Sequence, residues 1–403
     1  LSGLPIVDAG PFFQKVIRGE EGLLERRRLG ADLKAACHDA GMFYLIGHNV
    51  DQEMIERALF ESARFFDCSD AEKFAISMKN SAHFRGFGRL KNSRDWREQI
   101  HIGVEPENNR LDIGSQTNNH VGPNDHLGEH ADTPQYRLLE GPNQWPVRRT
   151  EEFRRSMLRY MDAIESVART MLSVLAEALE LPPDYFSNRM KSNPYLLLKS
   201  MSYLPQHSES GGCGEIKEIR ESLGNRDQSQ TNNRSAQPQM GVTAHCDWSW
   251  LTFLIQDQVG GLEAMDTSGV WRKVEPMKNA LVVNTGELLE LETGGYLRAS
   301  PHRVVNERID RQRFSLAVFV NPALDEMILP VNLLSSETLR PASVHSAGQA
   351  EQATGPIKQT TAHVHKVIEP GTIPGAFLFG DSEWKRKGQG LWCYKTECLK
   401  PVE

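Results

Sequence analysis

His245-Cys246-Asp247 sets an imidazole and a carboxylate two residues apart. On a strand, residues i and i+2 share a face, so both side chains would reach from one sheet surface toward one point. His302, in Ser300-Pro301-His302-Arg303-Val304, offers a second imidazole. Two histidines and one carboxylate make the facial triad that holds non-haem Fe(II) and leaves positions open for oxygen chemistry. Beyond it, Arg313-Phe314-Ser315 opens a strand-like run to Val320, again with its first and third side chains on one face. A guanidinium fork beside a hydroxyl suits a carboxylate, which arginine grips through two parallel hydrogen bonds.

These residues stand in order with Leu251-Thr252-Phe253-Leu254-Ile255-Gln256-Asp257, Gly260-Gly261-Leu262-Glu263, the run from Val282 to Glu290, and Gly294-Gly295. The ordered set resembles the Fe(II)/2-oxoglutarate oxygenases, and the isopenicillin N synthase-like branch in particular. Ala40-Gly41-Met42-Phe43-Tyr44, running on to His48-Asn49-Val50, and Gly141-Pro142-Asn143-Gln144-Trp145-Pro146 resemble the same family. A bare His-x-Asp would be weak, but the ordered set is specific.

The resemblance implies an α+β fold: a distorted double-stranded β-helix (jelly roll) core flanked by helices, with an N-terminal α/β region. Residues 1–147 would be the N-terminal dioxygenase-type region and 148–403 the catalytic region, with polar insertions at 206–239 and 335–362. It implies His245, Asp247 and His302 as catalytic metal ligands and Arg313 with Ser315 as the 2-oxoglutarate contact. Fe(II), 2-oxoglutarate and O2 would be the cofactors. The expected reaction oxidises an unactivated C–H bond of a small specialised-metabolite or amino-acid-like substrate and releases succinate and CO2. Hydroxylation is the default, with desaturation or ring closure open to the same residues. A zinc-bound hydrolase and a non-catalytic binding barrel are the alternatives from other classes. Relatives also hold 2-oxoglutarate with a polar residue and a tyrosine that directly precedes a proline. Here Leu204 precedes Pro205, Ser202 is the polar candidate, and parity counted from the proline sets Tyr203 on the opposite face.

Elements to position these groups are legible around them. Leu4–Asp8 and Met42–His48 read as strands, with an amphipathic helix over 20–40 between them that stops at Gly41. A further helix is expected over 51–79, and the longest over 150–181, where Met157, Met161, Ile164, Ala168, Met171 and Leu175 recur at helical spacing before Pro182-Pro183. Strands are expected at Leu196–Leu204, Met240–Ile255, His302–Asn306 and Arg313–Val320.

Other features carry less. The basic segment from His83 to Glu105, with Arg85, Arg89, Lys91, Arg94, Trp96 and Arg97, reads as a solvated loop leading into a strand, or as a source of arginines that anchor an acidic substrate. His126-Leu127-Gly128-Glu129-His130 matches a zinc-peptidase pattern, but Gly128 and the flanking prolines oppose the helix that chemistry needs. His363-Val364-His365 lacks a third ligand nearby, and His48 and Cys246 read as structural. A net charge of −7 argues against general nucleic-acid binding. No apolar run is long enough for a membrane span and no signal pattern is seen, so a cytoplasmic, monomeric enzyme with a small-molecule substrate is expected. Six scattered cysteines read as thiols.

Overall fold

The computed structural model describes residues 3–14, 19–92, 95–105, 136, 139–148, 150–204, 239–306, 311–331 and 333. The His126–His130 motif, Arg94, His363, His365 and both polar insertions, apart from Gln239, lie outside the described residues.

The helices are α1 (Gly10–Gln14), α2 (Glu20–Ala35), α3 (Gln52–Phe66), α4 (Asp70–Ala75), α5 (Thr150–Ala178), α6 (Tyr185–Met190) and α7 (Glu287–Glu292). A π-helical turn, Ala36–Ala40, continues α2 up to Gly41, whose φ of 69° is left-handed. A Cβ there would lie 2.5 Å from the Arg298 carbonyl, so glycine is required both by conformation and by close approach. The helix expected over 51–79 is interrupted after Phe66. Ser69 and Glu72 close a capping box that satisfies the first amides of a separate helix, α4. None of the described helices is long and apolar enough to cross a membrane.

The strands are β1 (Ile6–Asp8), β2 (Met42–Ile46), β3 (Gly86–Lys91), β4 (Trp96–Gly103), β5 (Leu196–Tyr203), β6 (Gln239–His245), β7 (Leu251–Gln256), β8 (Leu262–Met265), β9 (Trp271–Lys273), β10 (Ala280–Thr285), β11 (His302–Asn306) and β12 (Arg313–Val320). They form an eight-stranded sheet in the order β1-β2-β10-β7-β12-β5-β4-β3 and a four-stranded sheet in the order β6-β11-β8-β9. The N-terminal strands β1 to β4 are therefore built into the same large sheet as β5, β7, β10 and β12.

Alternation gives the large sheet two different faces. Phe43, Leu45, Ile100, Leu198, Phe253, Val283, Leu316 and Val318 pack with Met157, Ile164, Met171 and Leu175 of α5, and with Leu29 and Phe65 from α2 and α3. Each such side chain contributes roughly 1.5–3 kcal/mol on burial. The other face brings Met42, Met201, Tyr203, Val282 and Ala317 against Leu262, Ala264 and Val304 of the small sheet. A site opens between the two sheets.

One expected strand is corrected. Met240–Ile255 is not continuous: β6 belongs to the small sheet and ends at His245, and β7 belongs to the large one. The chain crosses over residues 246–250, drawn across by Trp250. Its indole is fully buried and donates to Glu292 Oε2 at 2.6 Å, while its amide donates to the Val320 carbonyl at 3.0 Å.

Candidate active site

His245 closes β6, and His302 opens β11 directly opposite it in the antiparallel ladder. Cross-strand partners project side by side, and the two ring centroids lie 4.4 Å apart. His245 Nδ1 donates to the Thr243 carbonyl at 2.9 Å and His302 Nδ1 to the Ser300 carbonyl at 3.0 Å. A carbonyl oxygen can only accept, so both Nδ1 atoms carry the proton and both Nε2 atoms offer a lone pair. Asp247, just past the end of β6, puts Oδ1 3.5 Å from His245 Nε2 and 3.6 Å from His302 Nε2. The expected convergence is present, although Asp247 reaches it from the crossover and not from a strand. The Glu287 amide donates to the Asp247 carbonyl at 2.7 Å, and Asn284 Nδ2 donates to Oδ2 at 2.9 Å, which steadies the carboxylate and leaves Oδ1 free.

The three ligand atoms lie within 4.8 Å of one another, a spacing that suits one ion. Burial alone would push the Asp247 carboxyl up. The His302 and His245 rings, when protonated, and the Asn284 amide in either state outweigh it and hold the group ionised, well below the usual carboxylate range. Burial pushes His302 down, toward the neutral imidazole that a metal needs.

Arg313 is buried at the start of β12 on the same pocket face. Its Nη2 donates to Gln256 Oε1 at 2.9 Å and its Nη1 to Ser315 Oγ at 3.3 Å. The guanidinium carbon lies 4.6 Å from the centre of the Tyr203 ring. Nε is buried and has no hydrogen-bond partner among the described residues, as expected of a fork awaiting an acceptor. A pocket that reaches solvent joins this fork to the histidine–aspartate cluster. Met42, Leu254, Val282, Val304 and Phe319 give it apolar walls.

The structure reverses one assignment. Ser202 faces the helical layer, fully buried, where its hydroxyl accepts from Gln312 Nε2 at 2.5 Å. Tyr203 lines the cavity with Met201 and Lys199. Counting parity from the proline misled because Leu204 adds a residue after the strand. Apolarity gave no warning either, since the helix-facing side carries Ser200 and Ser202, with Ser200 bonded to Ser62 at 2.5 Å.

The basic segment is also not a solvated loop. It forms the β3–β4 hairpin, in which Arg85 is buried and donates to the Leu139 carbonyl at 2.7 Å. Arg89 bridges Asp70 and Glu98. Of the arginines in that segment that are described, Arg97 lines the cavity. Its Nη1 donates to Asp95 at 2.5 Å and to the Gly241 carbonyl at 3.2 Å, tying the two sheets together.

Lys199, which sequence reasoning missed, also lines the cavity, half-buried, with Nζ 4.6 Å from the Phe319 ring centre. Burial, and then the neighbouring Arg97, pull its ammonium down to about 8. The alternation Lys199-Met201-Tyr203 could have found it. His48 lies outside this cavity's lining; its ring accepts from the Val50 amide at 3.1 Å.

Two facing sheets with a tautomer-fixed His–Asp–His cluster between them define a candidate metal centre, and sequence comparison supplies the family. Residues 4–148 match the family "non-haem dioxygenase in morphine synthesis N-terminal", and residues 224–322 match the "2OG-Fe(II) oxygenase superfamily". The chain belongs to the 2OG-Fe(II) oxygenases of the isopenicillin N synthase-like superfamily, and it is an enzyme dependent on Fe(II) and 2-oxoglutarate. It is 30% identical over 332 residues to a probable iron/ascorbate oxidoreductase of Dictyostelium discoideum, covering 79% of this chain and 81% of that one. It is 29% identical over 321 residues to a 2-oxoglutarate-Fe(II) type oxidoreductase of Emericella nidulans, covering 78% of each. The fold matches that of a full-length Neurospora crassa protein crystallised in complex with alpha-KG and 5-formyluracil, at a TM-score of 0.64 and 19% identity, over 94% of this chain and 96% of that one.

Proposed function

We propose that His245, Asp247 and His302 hold the Fe(II), and that Arg313 with Ser315 takes the distal carboxylate of 2-oxoglutarate. The observation that carries this reading is the convergence of two Nε2 lone pairs and Asp247 Oδ1 on one point. Neutral imidazoles and a carboxylate are the donor set for non-haem Fe(II). The unmet Nε of buried Arg313 marks where an anion is wanted. We read the two facing sheets as the distorted double-stranded β-helix of this family.

Fe(II) with 2-oxoglutarate and O2 supplies oxidative decarboxylation, giving succinate and CO2, coupled to attack on an unactivated C–H bond. The chain's own residues position the reactants and keep water away. The Thr243 and Ser300 carbonyls hold both rings in the ligating tautomer, and Asn284 keeps one Asp247 oxygen turned inward. Met42, Leu254, Val282 and Val304 surround the reacting carbon with apolar surface. The substrate is a small molecule and hydroxylation is the outcome. The Neurospora crassa structure, which holds alpha-KG with the small molecule 5-formyluracil, supports the small-molecule part of this reading, and hydroxylation is taken as the default outcome.

Succinate release from 2-oxoglutarate, with and without added Fe(II), tests the proposal. His245→Ala is expected to lower it at least ~100-fold, beyond the range seen for groups that only support a ligand. An unchanged rate in that variant would contradict the ligand assignment.

A further inference from the structure

On that reading, we propose that Lys199, assisted by Arg97, is the substrate anchor, and that the oxidised molecule is a small monoanionic carboxylate with an apolar body. Alternation along β4 and β5 places Arg97, Gln99, Lys199 and Met201 on the cavity face. Lys199 takes no hydrogen-bond or ion-pair partner among the described residues; its ammonium rests over the Phe319 ring at 4.6 Å. A cation–π contact is weaker than a buried charge pair, so an ammonium in this setting calls for an anion.

The charge available is about one unit. Arg97 is already paired with Asp95 at 2.5 Å, whereas Lys199 has no ion-pair partner among the described residues and feels Asp247 and Asp95 only at longer range. That matches a monoanion better than a doubly charged group.

The anchor is separate from the 2-oxoglutarate end. Lys199 pairs with Ala317, while Arg313 pairs with Tyr203, four residues away along the same ladder. Their backbones are ~13 Å apart at the strand rise, and the Lys199 ammonium leans over Phe319, away from Arg313. Both cationic ends open into the cavity that holds the histidine–aspartate cluster. Between them, Met42, Leu254, Val282 and Phe319 suit an apolar body.

The test uses the full-length enzyme loaded with Fe(II) and 2-oxoglutarate. The probes are phenylacetate, 3-phenylpropionate, indole-3-acetate and hexanoate, each beside its primary amide, which differs in charge but hardly in shape. The readouts are perturbation of the anaerobic Fe(II)–2-oxoglutarate absorption band and stimulation of succinate release. The acids are expected to act at concentrations at least ~10-fold lower than the amides. Lys199→Met is expected to erase that preference, and Lys199→Arg to retain it. In both variants the band should form at the wild-type 2-oxoglutarate concentration. Equal response to acid and amide, no response to any acid, or a preference that survives Lys199→Met would overturn the anchor. If Lys199 merely balanced the Asp247 charge, Lys199→Met would shift Fe(II) affinity and leave the preference intact, which also overturns it. A wild-type enzyme that forms no band at all would instead sink the proposed function on which the anchor rests.

Discussion

Arg313 shows how single residues divide the work. One N–H of each Nη is bonded, to Ser315 and to Gln256, and its face lies against Tyr203, so its direction is fixed before any ligand arrives. Such preorganisation leaves the Nε–H and the second N–H of each Nη for a ligand that arrives. Arg313→Gln is therefore expected to raise the KM for 2-oxoglutarate ~10- to 100-fold, the range for one charge-assisted contact, with a smaller effect on kcat at saturation. Steady-state kinetics with varied 2-oxoglutarate checks this; an unchanged KM would remove Arg313 from the co-substrate site. That His245, Asp247 and His302 would meet, with Arg313 and Ser315 on the same cavity, was legible in the sequence, because these residue types stand in an ordered and specific set. Tyr203, Lys199 and Asn284 were not. Tyr203 and Lys199 depend on which face of β5 turns inward, and Asn284 on a contact with Asp247 that crosses from β10 to the end of β6.

At the scale of elements, the crossover at 246–250 does what a strand was expected to do. Gly286, just before α7, donates its amide to the Trp250 carbonyl at 3.0 Å and packs on the crossover so closely that a Cβ would lie 2.1 Å from the Ser249 carbonyl oxygen. Those are backbone atoms and cannot rotate away. Gly286→Ala is expected to shift the crossover, move Asp247 off the common point and weaken Fe(II) binding at least ~10-fold, although it alters no ligand. Metal titration followed by calorimetry would measure it, and wild-type affinity would mean that the crossover does not set the carboxylate's position. Periodicity located the helices and strands well because each buries one face. It failed where a polar contact overrode it: at Ser69, whose capping box starts a new helix, and at Trp250, whose buried indole draws the chain from one sheet to the other.

For the whole molecule, the large sheet makes the N-terminal residues indispensable. β2 pairs with β10, and β4 pairs with β5, along nearly their full lengths. A chain of residues 148–403 alone would expose both of those strands as bare edges, which invites association. It is expected to lack a cooperative thermal transition and to aggregate where the full chain does not; a folded, monomeric fragment by calorimetry and light scattering would show the N-terminal strands to be an accessory. The general α+β character was readable from the order of helices and strands. The strand order was not, since pairings such as β2 with β10 join residues far apart in sequence. Local pattern does not encode such partners.

Anaerobic titration of the Fe(II)-loaded enzyme with 2-oxoglutarate, following the charge-transfer absorption of the chelate, decides whether Asp247 and Arg313 serve one metal and co-substrate site. The band should grow to saturation at one 2-oxoglutarate per chain in the wild type, require more of it in Arg313→Gln, and be missing in Asp247→Ala. A band of full intensity in Asp247→Ala, or none in the wild type, would contradict the account.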